Sequence, residues 1–356
     1  MSKRFNGSFK GIDKVSSIED ISSMSNGVFD LKSQYTFSLP QEIIVPWQYG
    51  GTVNGYTINS EFVSPYKVLH IDKFPFASET DVSNVGTANS YVTDVGSASS
   101  DVAGYILGGD FITSPPYYSP NIYKFPFASE GLSTYIGSLS LYVGNVASAA
   151  NQDYALAMGG ATFPPSGTPS TAARVTSRIQ KLSFATDTEG AATVGYLGLS
   201  VRNNRGYSTQ EDGYSVAGYR ALAPSPGSTE ISSIYKCPFA ATSGTVASVG
   251  NLTVIRSAGN PLQSDTHGYY LEDGTPATAE KFPFAVPITS AILSDLDISA
   301  VPQKRCTTTS TTTGYLAYAP AEFHKLNYAS DTSIAQITAS SPWTYRPNAN
   351  PTGFKV

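Results

Sequence analysis

Residues able to do acid–base, nucleophilic or metal chemistry are few in this chain and do not converge in the sequence. The 356 residues include two cysteines and only three histidines, His70, His267 and His324. The histidines share no metal-ligand spacing. The double glycines at 108–109 and 159–160 are not followed by the Gly-Lys-Ser/Thr of a phosphate-binding loop. The sequence therefore predicts no catalytic residue, no cofactor-binding residue and no metal ligand.

Two local groups of reactive residues have structural interpretations. The run 264–267 (Ser-Asp-Thr-His), close to Glu272 and Asp273, gathers acids beside a histidine, and we interpret it as a solvated turn. Cys237 replaces a phenylalanine in a repeated peptide, so we expect a small buried apolar side chain, with a disulfide to Cys306 as the alternative. The sequence leaves open whether two carboxylates are paired for glycoside hydrolysis, because the distance between them is a property of the folded chain.

Composition favours many short strands joined by turns. Charged residues make up 14% of the chain, whereas glycine, serine, threonine, tyrosine and proline are abundant. The formal net charge of −5 gives no overall attraction to nucleic acid or anionic lipid. No apolar segment has transmembrane length, and the basic start has no apolar core behind it, so neither membrane insertion nor a signal peptide is expected.

A heptapeptide recurs along the chain and defines its organisation. It reads DKFPFAS at 72–78 and YKFPFAS at 123–129, and four altered copies follow. The lysines of the six copies are Lys73, Lys124, Lys181, Lys236, Lys281 and Lys325. Their spacing of 44 to 57 residues indicates equivalent strands joined by loops of unequal length.

Three companion motifs accompany each heptapeptide. A Gly-Tyr pair, often followed by a double glycine, precedes it, and the tyrosines are Tyr56, Tyr105, Tyr154, Tyr214, Tyr269 and Tyr315. A Val-Gly-x-Leu motif follows it. A fourth segment carries Arg202, Arg256, Arg305 and, less regularly placed, Arg346. Four strand candidates in 44 to 57 residues are typical of one propeller blade, so we predict an all-β fold, a six-bladed β-propeller with an extended N-terminal arm.

The order of these motifs resembles kelch propellers, in which the double glycine ends the innermost strand of a blade. The resemblance covers residues 50 to 345 and lacks the usual kelch tryptophan. It implies that the heptapeptide forms the second strand of a kelch-like blade. The predicted domains are an arm at 1–44, the propeller at 45–347 and a C-terminal tail at 348–356. We expect the segment 46–49 (Pro-Trp-Gln-Tyr) to close the ring by pairing into the last blade.

The heptapeptide itself is interpreted as packing material. Phe74 and Phe76 lie on one face of a strand and would fill the space between neighbouring blades, while Pro75 would end the strand pairing. A ring of six lysines suggests anion binding, but a residue present in every blade more often serves the fold, and we expect local salt bridges.

Tyrosines that break the repeat are better candidates for an interaction surface. They are Tyr117, Tyr118, Tyr207, Tyr219 and Tyr270. Tyrosine offers amphipathic contact area at small entropic cost, which suits glycan or protein recognition. The Pro-, Ser- and Thr-rich loops 110–121 and 161–177 are the segments in which we expect function.

The polar, Ser-rich first 44 residues contain a short motif with hydrophobic positions Val28, Phe29, Leu31 and Tyr35. With Trp47 behind it, this run resembles a Gly-Val-Trp/Phe-x-Leu-x-x-x-Tyr element of bacteriophage tail and structural proteins. The KFPFAS repeats are likewise similar to repeats in virion proteins of phages that infect aquatic bacteria, cyanobacteria among them. The resemblance implies a virion component, either a tail, a tail fibre or another surface appendage, with the four hydrophobic residues in a docking arm.

Two function hypotheses follow. The first is a non-enzymatic virion protein that binds other virion subunits through its arm and assembles as a homo-oligomer. Its propeller would meet either a host-surface glycan or protein, or another virion protein. Its location would be the virion. The alternative is a propeller that binds or cleaves glycans, and acids at the mouth of the ring near Tyr117 or Tyr118 would favour it.

Overall fold

The chain folds as the predicted all-β, six-bladed β-propeller. The computed structural model describes residues 51–63, 66–79, 81–88, 92–111, 118–162, 174–221, 228–272, 278–294, 296, 306–318, 322–338 and 353–355. They belong to one compact unit, Trp47–Val356. The predicted arm and its residues Val28, Phe29, Leu31 and Tyr35 lie outside the described residues. Within the described ranges, no helix is long and apolar enough to span a membrane.

Each blade is a four-stranded antiparallel sheet whose strands follow one another from the axis outward. Blade 1 contains, from its innermost strand, Gly353–Lys355, Asn54–Val63, Tyr66–Pro75 and Ser83–Ala88. Blade 2 contains, in the same order, Gly96–Ser99, Ala103–Leu107, Asn121–Pro126 and Thr134–Ser138. Blade 3 contains Ala147–Ala150, Tyr154–Met158, Arg178–Ser183 and Ala192–Leu197.

The second half of the ring repeats this plan. Blade 4 contains Arg205–Ser208, Asp212–Ala221, Ser228–Pro238 and Ser248–Arg256, with Val201–Arg202 also paired to its second strand. Blade 5 contains Asn260–Gln263, His267–Glu272, Thr278–Pro283 and Ala291–Ile292. Blade 6 contains Cys306–Thr309, Thr313–Tyr318, Glu322–Asn327 and Ile334–Thr338.

Short strands and one turn of helix complete the described structure. The short strands are Val92–Thr93, Asp110–Phe111, Gly131–Leu132, Val143–Gly144, Ala161–Thr162, Arg174–Val175, Thr245–Val246 and Ile288–Thr289. A 3₁₀ turn spans Asp187–Glu189.

The strand order within a blade differs from the kelch-based expectation. The fourth segment of each unit crosses over and becomes the innermost strand of the following blade, as Arg205–Ser208 does after Ala192–Leu197. The Gly-Tyr strand is therefore second from the axis, and the heptapeptide is in the third strand rather than the second. The innermost strands contact one another in a closed ring around the axis. Sequence order alone does not reveal which strand faces the axis.

The ring is closed by the C-terminal end of the chain. Gly353–Lys355 pairs antiparallel with Asn54–Val63, with Tyr56 opposite Phe354, and supplies the innermost strand of blade 1. These three residues thus belong to a propeller sheet, although 348–356 was predicted to be a tail. The segment 46–49, predicted to pair into the last blade, lies outside the described residues.

Aromatic side chains fill the spaces between blades, as predicted for Phe74 and Phe76. The second aromatic of a heptapeptide packs against the Gly-Tyr tyrosine of the preceding blade, with the rings stacked in every pair below except the tilted Phe284–Tyr214 pair. The ring pairs are Phe127 on Tyr56 (4.9 Å between centroids), Phe184 on Tyr105 (4.5 Å), Phe284 on Tyr214 (5.0 Å), Tyr328 on Tyr269 (5.1 Å) and Phe76 on Tyr315 (5.4 Å). Such pairs add about 0.5–1.5 kcal/mol each beyond burial. The strand ends at Pro75, as expected.

The six heptapeptide lysines are engaged by local partners, which confirms their predicted role in the fold. Four of them form ion pairs with an acid in the turn of the following blade: Lys73–Glu130 (2.9 Å), Lys124–Asp187 (2.7 Å), Lys281–Asp331 and Lys325–Glu79 (2.6 Å). Lys236 pairs with Asp212 of its own blade at 2.7 Å, and Lys181 donates to the carbonyls of Phe239 and Ala241.

The same acids also accept hydrogen bonds from the Gly-Tyr tyrosines. The Tyr105 hydroxyl donates to Asp187, Tyr269 to Asp331 and Tyr315 to Glu79, at 2.8–3.1 Å. One carboxylate in the next blade thus holds both the lysine and the tyrosine of its neighbour. We use the name blade clamp for the lysine and tyrosine of one blade, the carboxylate of the next blade that holds both, and the aromatic ring stacked on the tyrosine.

Blade 3 departs from the predicted alignment of the Gly-Tyr motif. In the other blades the motif tyrosine lies opposite the heptapeptide lysine, as Tyr105 lies opposite Lys124. In blade 3, Leu156 occupies that place opposite Lys181, and Tyr154 lies two residues earlier and is only half-buried. Leu156 is fully buried. A two-residue slip keeps the strand face, so the sequence pattern alone could not distinguish the two alignments.

The glycine of Val-Gly-x-Leu permits close contact between outermost strands and the next blade. A Cβ on Gly195 would lie 2.7 Å from the Gly244 carbonyl oxygen, and one on Gly250 would lie 2.7 Å from the Ile288 carbonyl oxygen. Both contacts occur where the outer strand pairs in parallel with a short strand of the following blade. The motif leucine packs inward, with Leu197 and Leu252 both buried.

Substitution of Gly195 by alanine is expected to destabilise the propeller by about 2 kcal/mol, because the added methyl group must displace the backbone of the next blade. Urea unfolding of the full chain measures this. The control is Ala192→Ser, an exposed change in the same strand, for which we expect less than about 0.5 kcal/mol. Equal midpoints for Gly195→Ala and the control would contradict the close-contact explanation.

The buried tyrosines predict alkaline destabilisation. Burial, and secondarily the charge of Glu130, raises the pKa of Tyr56 to about 12, and the pKa values of Tyr105, Tyr214, Tyr269 and Tyr315 are also raised by burial. An unfolded tyrosine ionises near pH ~10. Above that pH the unfolded chain binds fewer protons than the folded chain, so stability falls as pH rises.

We therefore expect the unfolding midpoint to be stable up to about pH 9 and to fall above about pH 10, where each tyrosine contributes about 1.4 kcal/mol per pH unit. Tyr56→Phe should reduce this slope, whereas Tyr142→Phe at an exposed position should not. Thermal melts across the alkaline range measure both. An unchanged slope in Tyr56→Phe would show that the proton on Tyr56 is not linked to folding.

Candidate functional site

Four residues form a hydrogen-bonded arc around one end of the propeller axis. Asp94, Asn145, Asn203 and Ala258 precede the innermost strands of blades 2 to 5, and each has a left-handed backbone with φ between 52° and 59°. From blade 3 on, each N–H donates to the carbonyl of its counterpart in the preceding blade, at 2.9 Å (Asn145 to Asp94), 3.1 Å and 3.1 Å. We call these residues the axial arc. Aspartate and asparagine tolerate this conformation well.

The axial arc and the blade clamps lie at opposite ends of the blades. The arc is where the innermost strands begin, and the antiparallel second strands end there. The Gly-Tyr tyrosines of the clamps are near the beginning of those second strands. The predicted functional loops include residues 112–117 and 163–173, which lie outside the described residues.

Arg256 at this end is neutralised by buried acid. Its side chain is 1% exposed, and its guanidinium lies 3.0 Å from Glu280 and 3.7 Å from Glu272. Glu280 is completely buried and accepts hydrogen bonds from the backbone N–H groups of Thr253 (2.6 Å) and Val254 (3.1 Å). Glu280, held in place by these two N–H groups, therefore offsets the buried charge of Arg256.

Arg205 is equally buried but is held differently. It is 3% exposed and begins the innermost strand of blade 4. Nε donates to the Gly259 carbonyl of blade 5, and Nη1 donates to the Asn204 carbonyl at 3.4 Å. Tyr270 accepts a hydrogen bond from the Gly259 N–H at 3.0 Å, so Gly259 is fixed from both sides. Burial lowers the pKa of the Arg205 guanidinium from its ordinary value, against smaller opposing effects that include Asp94.

The structure corrects most of the predicted interaction surface. Tyr118, Tyr207 and Tyr270 are at most 5% exposed, so they cannot present their rings to a partner. Tyr207 donates to the Tyr269 carbonyl at 3.0 Å and packs against blade 5, which explains its burial. A tyrosine that breaks the repeat can still fill space between blades. Tyr117 lies outside the described residues.

Tyr219 is half-buried and remains accessible. The Arg202 guanidinium lies 5.9 Å from its ring centroid, and Arg202 precedes the axial-arc residue Asn203. Burial and the charges of Asp110 and Asp94 raise the pKa of the buried Tyr118 to about 12, while the nearby positive charge of Arg202 acts in the opposite direction. Acidic, basic and aromatic groups therefore meet beside the arc. This surface can accept hydrogen-bonding ligands with one apolar face.

The other residues with reactive side chains lie in a turn or in the core. The Ser264–His267 run is a tight turn in which the Ser264 hydroxyl accepts from the backbone N–H of His267 at 3.1 Å, as interpreted from sequence. Cys237 is a buried free thiol whose pKa burial raises to about 11, as expected for an apolar packing role. Among the described residues, no three His, Cys, Asp or Glu side chains come together as a metal site.

Sequence reasoning missed the contrast between Arg205 and Arg256. The arginine pattern of the fourth segment included Arg202 and Arg256 but not Arg205. The useful signal was the second arginine in Val-Arg-Asn-Asn-Arg (201–205), which no other unit repeats. Its burial, and the burial of Glu280 opposite Arg256, depend on how adjacent blades pack.

Comparisons with known proteins support the fold. No protein-family model matches the sequence, and a comparison with curated proteins gives no match. Among solved structures, the chain is similar to a protein called YjhT, with a TM-score of 0.54 and 10% identity, over 68% of this chain and 82% of that chain. At this identity, the similarity establishes a shared fold and nothing about activity.

Proposed function

We propose that this chain is a non-enzymatic structural protein of a bacteriophage virion, a component of the tail or of a surface appendage such as a tail fibre. Residues 1–44 would attach the protein to other virion subunits, in a homo-oligomeric arrangement. The propeller would present its axial end to a host-surface glycan or protein, or to another virion protein. The proposal starts from the resemblance of the KFPFAS repeats and of the N-terminal motif to phage virion proteins.

The observation that supports it best is how the ring is closed. Asn54–Val63 is the first propeller strand after the arm in sequence, and its innermost neighbour is the C-terminal strand Gly353–Lys355. On its other side it pairs with all ten residues of Tyr66–Pro75. A segment attached ahead of blade 1 would therefore lead into a strand that is hydrogen-bonded on both sides, which suits a module that must stay folded while anchored by one end.

The blade clamps support the same role. They couple successive blades through half-buried ion pairs and stacked aromatic rings, including the pair between blade 6 and blade 1 formed by Lys325 and Glu79. A rigid scaffold of this kind positions loops without needing to move.

The arm is expected to be needed for attachment and not for folding of the propeller. The double variant Phe29→Ser/Tyr35→Ser should reduce incorporation into purified particles at least tenfold, because two apolar docking side chains are lost, while the thermal unfolding midpoint stays unchanged. Val102→Ser, an exposed change in blade 2, is the control and should incorporate normally. Absence of the unmodified chain from purified particles would overturn the proposal, as would full incorporation of the arm variant.

A glycan-binding or glycan-cleaving propeller is the second candidate, favoured by the acids beside Tyr118. Asp94 and Asp110 are both close enough to raise the pKa of this tyrosine, and the accessible Tyr219 lies beside Arg202 at the same axial end. Carboxylates next to an aromatic ring suit sugar recognition, because a sugar has both hydroxyl groups and an apolar face.

This candidate predicts that Tyr219→Ala weakens binding to host polysaccharide about tenfold, because stacking area is lost, while Tyr196→Ala on the outer strand of blade 3 has no effect. Glycan-array binding and product analysis after incubation with polysaccharide measure binding and cleavage. Wild-type protein that neither binds nor cleaves would eliminate the glycan candidate and leave the virion proposal standing.

A further inference from the structure

We propose that Arg205 is the centre of a binding site for a small oxyanion of single charge, such as a carboxylate group, between blades 4 and 5 at the axial end. The inference goes beyond the structural role proposed above and does not depend on it. It follows from a buried charge that no carboxylate of the described residues contacts directly.

The first argument is the burial of Arg205 without an acid partner. Arginine stays protonated at neutral pH, so its burial places a full positive charge in the interior. Among the described residues, no carboxylate forms an ion pair with this guanidinium, and Nη2 has no hydrogen-bond partner. An unpaired buried charge is strongly unfavourable, and an anion in contact with it would offset that cost.

Arg256 provides an internal comparison. It is buried to the same extent, lies at the same end of the molecule, and is paired with Glu280 at 3.0 Å and Glu272 at 3.7 Å. At Arg256 the fold therefore supplies an acid that offsets the buried charge. At Arg205 the fold supplies two backbone carbonyls, which orient the guanidinium but carry no negative charge.

The remaining donors define what kind of ligand fits. A guanidinium has five N–H groups in a plane. The Gly259 and Asn204 carbonyls use one on Nε and one on Nη1, which leaves the second N–H of Nη1 and both on Nη2. Neighbouring N–H groups on Nη1 and Nη2 match the two oxygens of a carboxylate in the bidentate geometry that arginine prefers.

Nearby charges favour a single negative charge on the ligand. Asp94 and Glu272 lie close enough to raise the pKa of Arg205, although neither forms an ion pair with it. A dianion such as phosphate would be repelled more strongly by these carboxylates than a monoanion would. A planar carboxylate of single charge satisfies both the donors and the local charge.

The place of Arg205 in the chain brings the site near the surface. It is two residues from Asn203, which belongs to the axial arc and is half-buried. The innermost strand begins at Arg205, so this residue is at the end of the strand and not at its middle.

The test uses the full chain and sodium formate, with ionic strength held constant by sodium fluoride. We expect the wild-type unfolding midpoint to rise saturably with formate, because a ligand that binds the folded state stabilises it. Arg205→Met removes the charge and keeps most of the side-chain volume, and its apparent formate affinity should be at least tenfold weaker. Arg178→Met, which changes a half-buried arginine of blade 3, is the matched control and should respond as wild type does.

A second measurement does not depend on the folding of any variant. In crystals of the wild-type chain grown with formate, we expect the anion within hydrogen-bond distance of Arg205 Nη2. The proposal is overturned by a wild-type midpoint that shows no saturable response to formate, by an Arg205→Met response equal to that of wild type, or by formate-grown crystals without the anion at Arg205.

Discussion

At the blade interfaces that carry a clamp, the hydroxyl of one tyrosine and the ammonium of one lysine are both held by a carboxylate of the next blade, and they connect the two sheets. In the clamp between blades 2 and 3, Asp187 accepts from Tyr105 and pairs with Lys124, while Phe184 stacks on the tyrosine ring. The ion pair is partly exposed and contributes modestly by itself. Its importance is geometric, because it fixes the tyrosine whose ring forms the surface on which the next blade packs.

The other recurrent motifs follow from this packing. At the clamped interface between blades 1 and 2, the outer strand approaches the turn of the next blade, and glycine is needed at Gly86 to avoid the Gly131 carbonyl oxygen. Glycine is needed for the same reason at Gly195 and Gly250, where the described residues of the two blades meet without a carboxylate clamp. At the axial end, blades 2 to 5 are joined by hydrogen bonds between left-handed residues such as Asn145 and Asn203. Contacts between blades are therefore made at both ends, and the motifs of the sequence largely reflect those contacts.

Departures from the repeat separate structural positions from candidate functional ones. Leu156 replaces a clamp tyrosine in blade 3, and Lys181 compensates by donating to two carbonyls of blade 4. Within the described part of the chain, Arg205 has no comparable compensation, although it is fully buried and lies at the same end as the neutralised Arg256. A repeat protein can lose symmetry at a packing position when another polar contact replaces the lost one. Where no replacement exists, a ligand is the remaining source of the missing charge.

The sequence by itself determined the fold class, the number of blades, the interblade role of Phe74 and the structural role of the lysines, because these depend on periodic patterns that every blade repeats. It did not determine which strand faces the axis, since a repeat has the same period wherever its unit is taken to begin. Only the tertiary structure decided that Tyr207 and Tyr270 are buried and that Arg205 has no acid partner among the described residues. Those properties depend on which side chains of the adjacent blade lie opposite, and the residues that meet there, such as Arg205 and Gly259, are 54 or more positions apart in the chain.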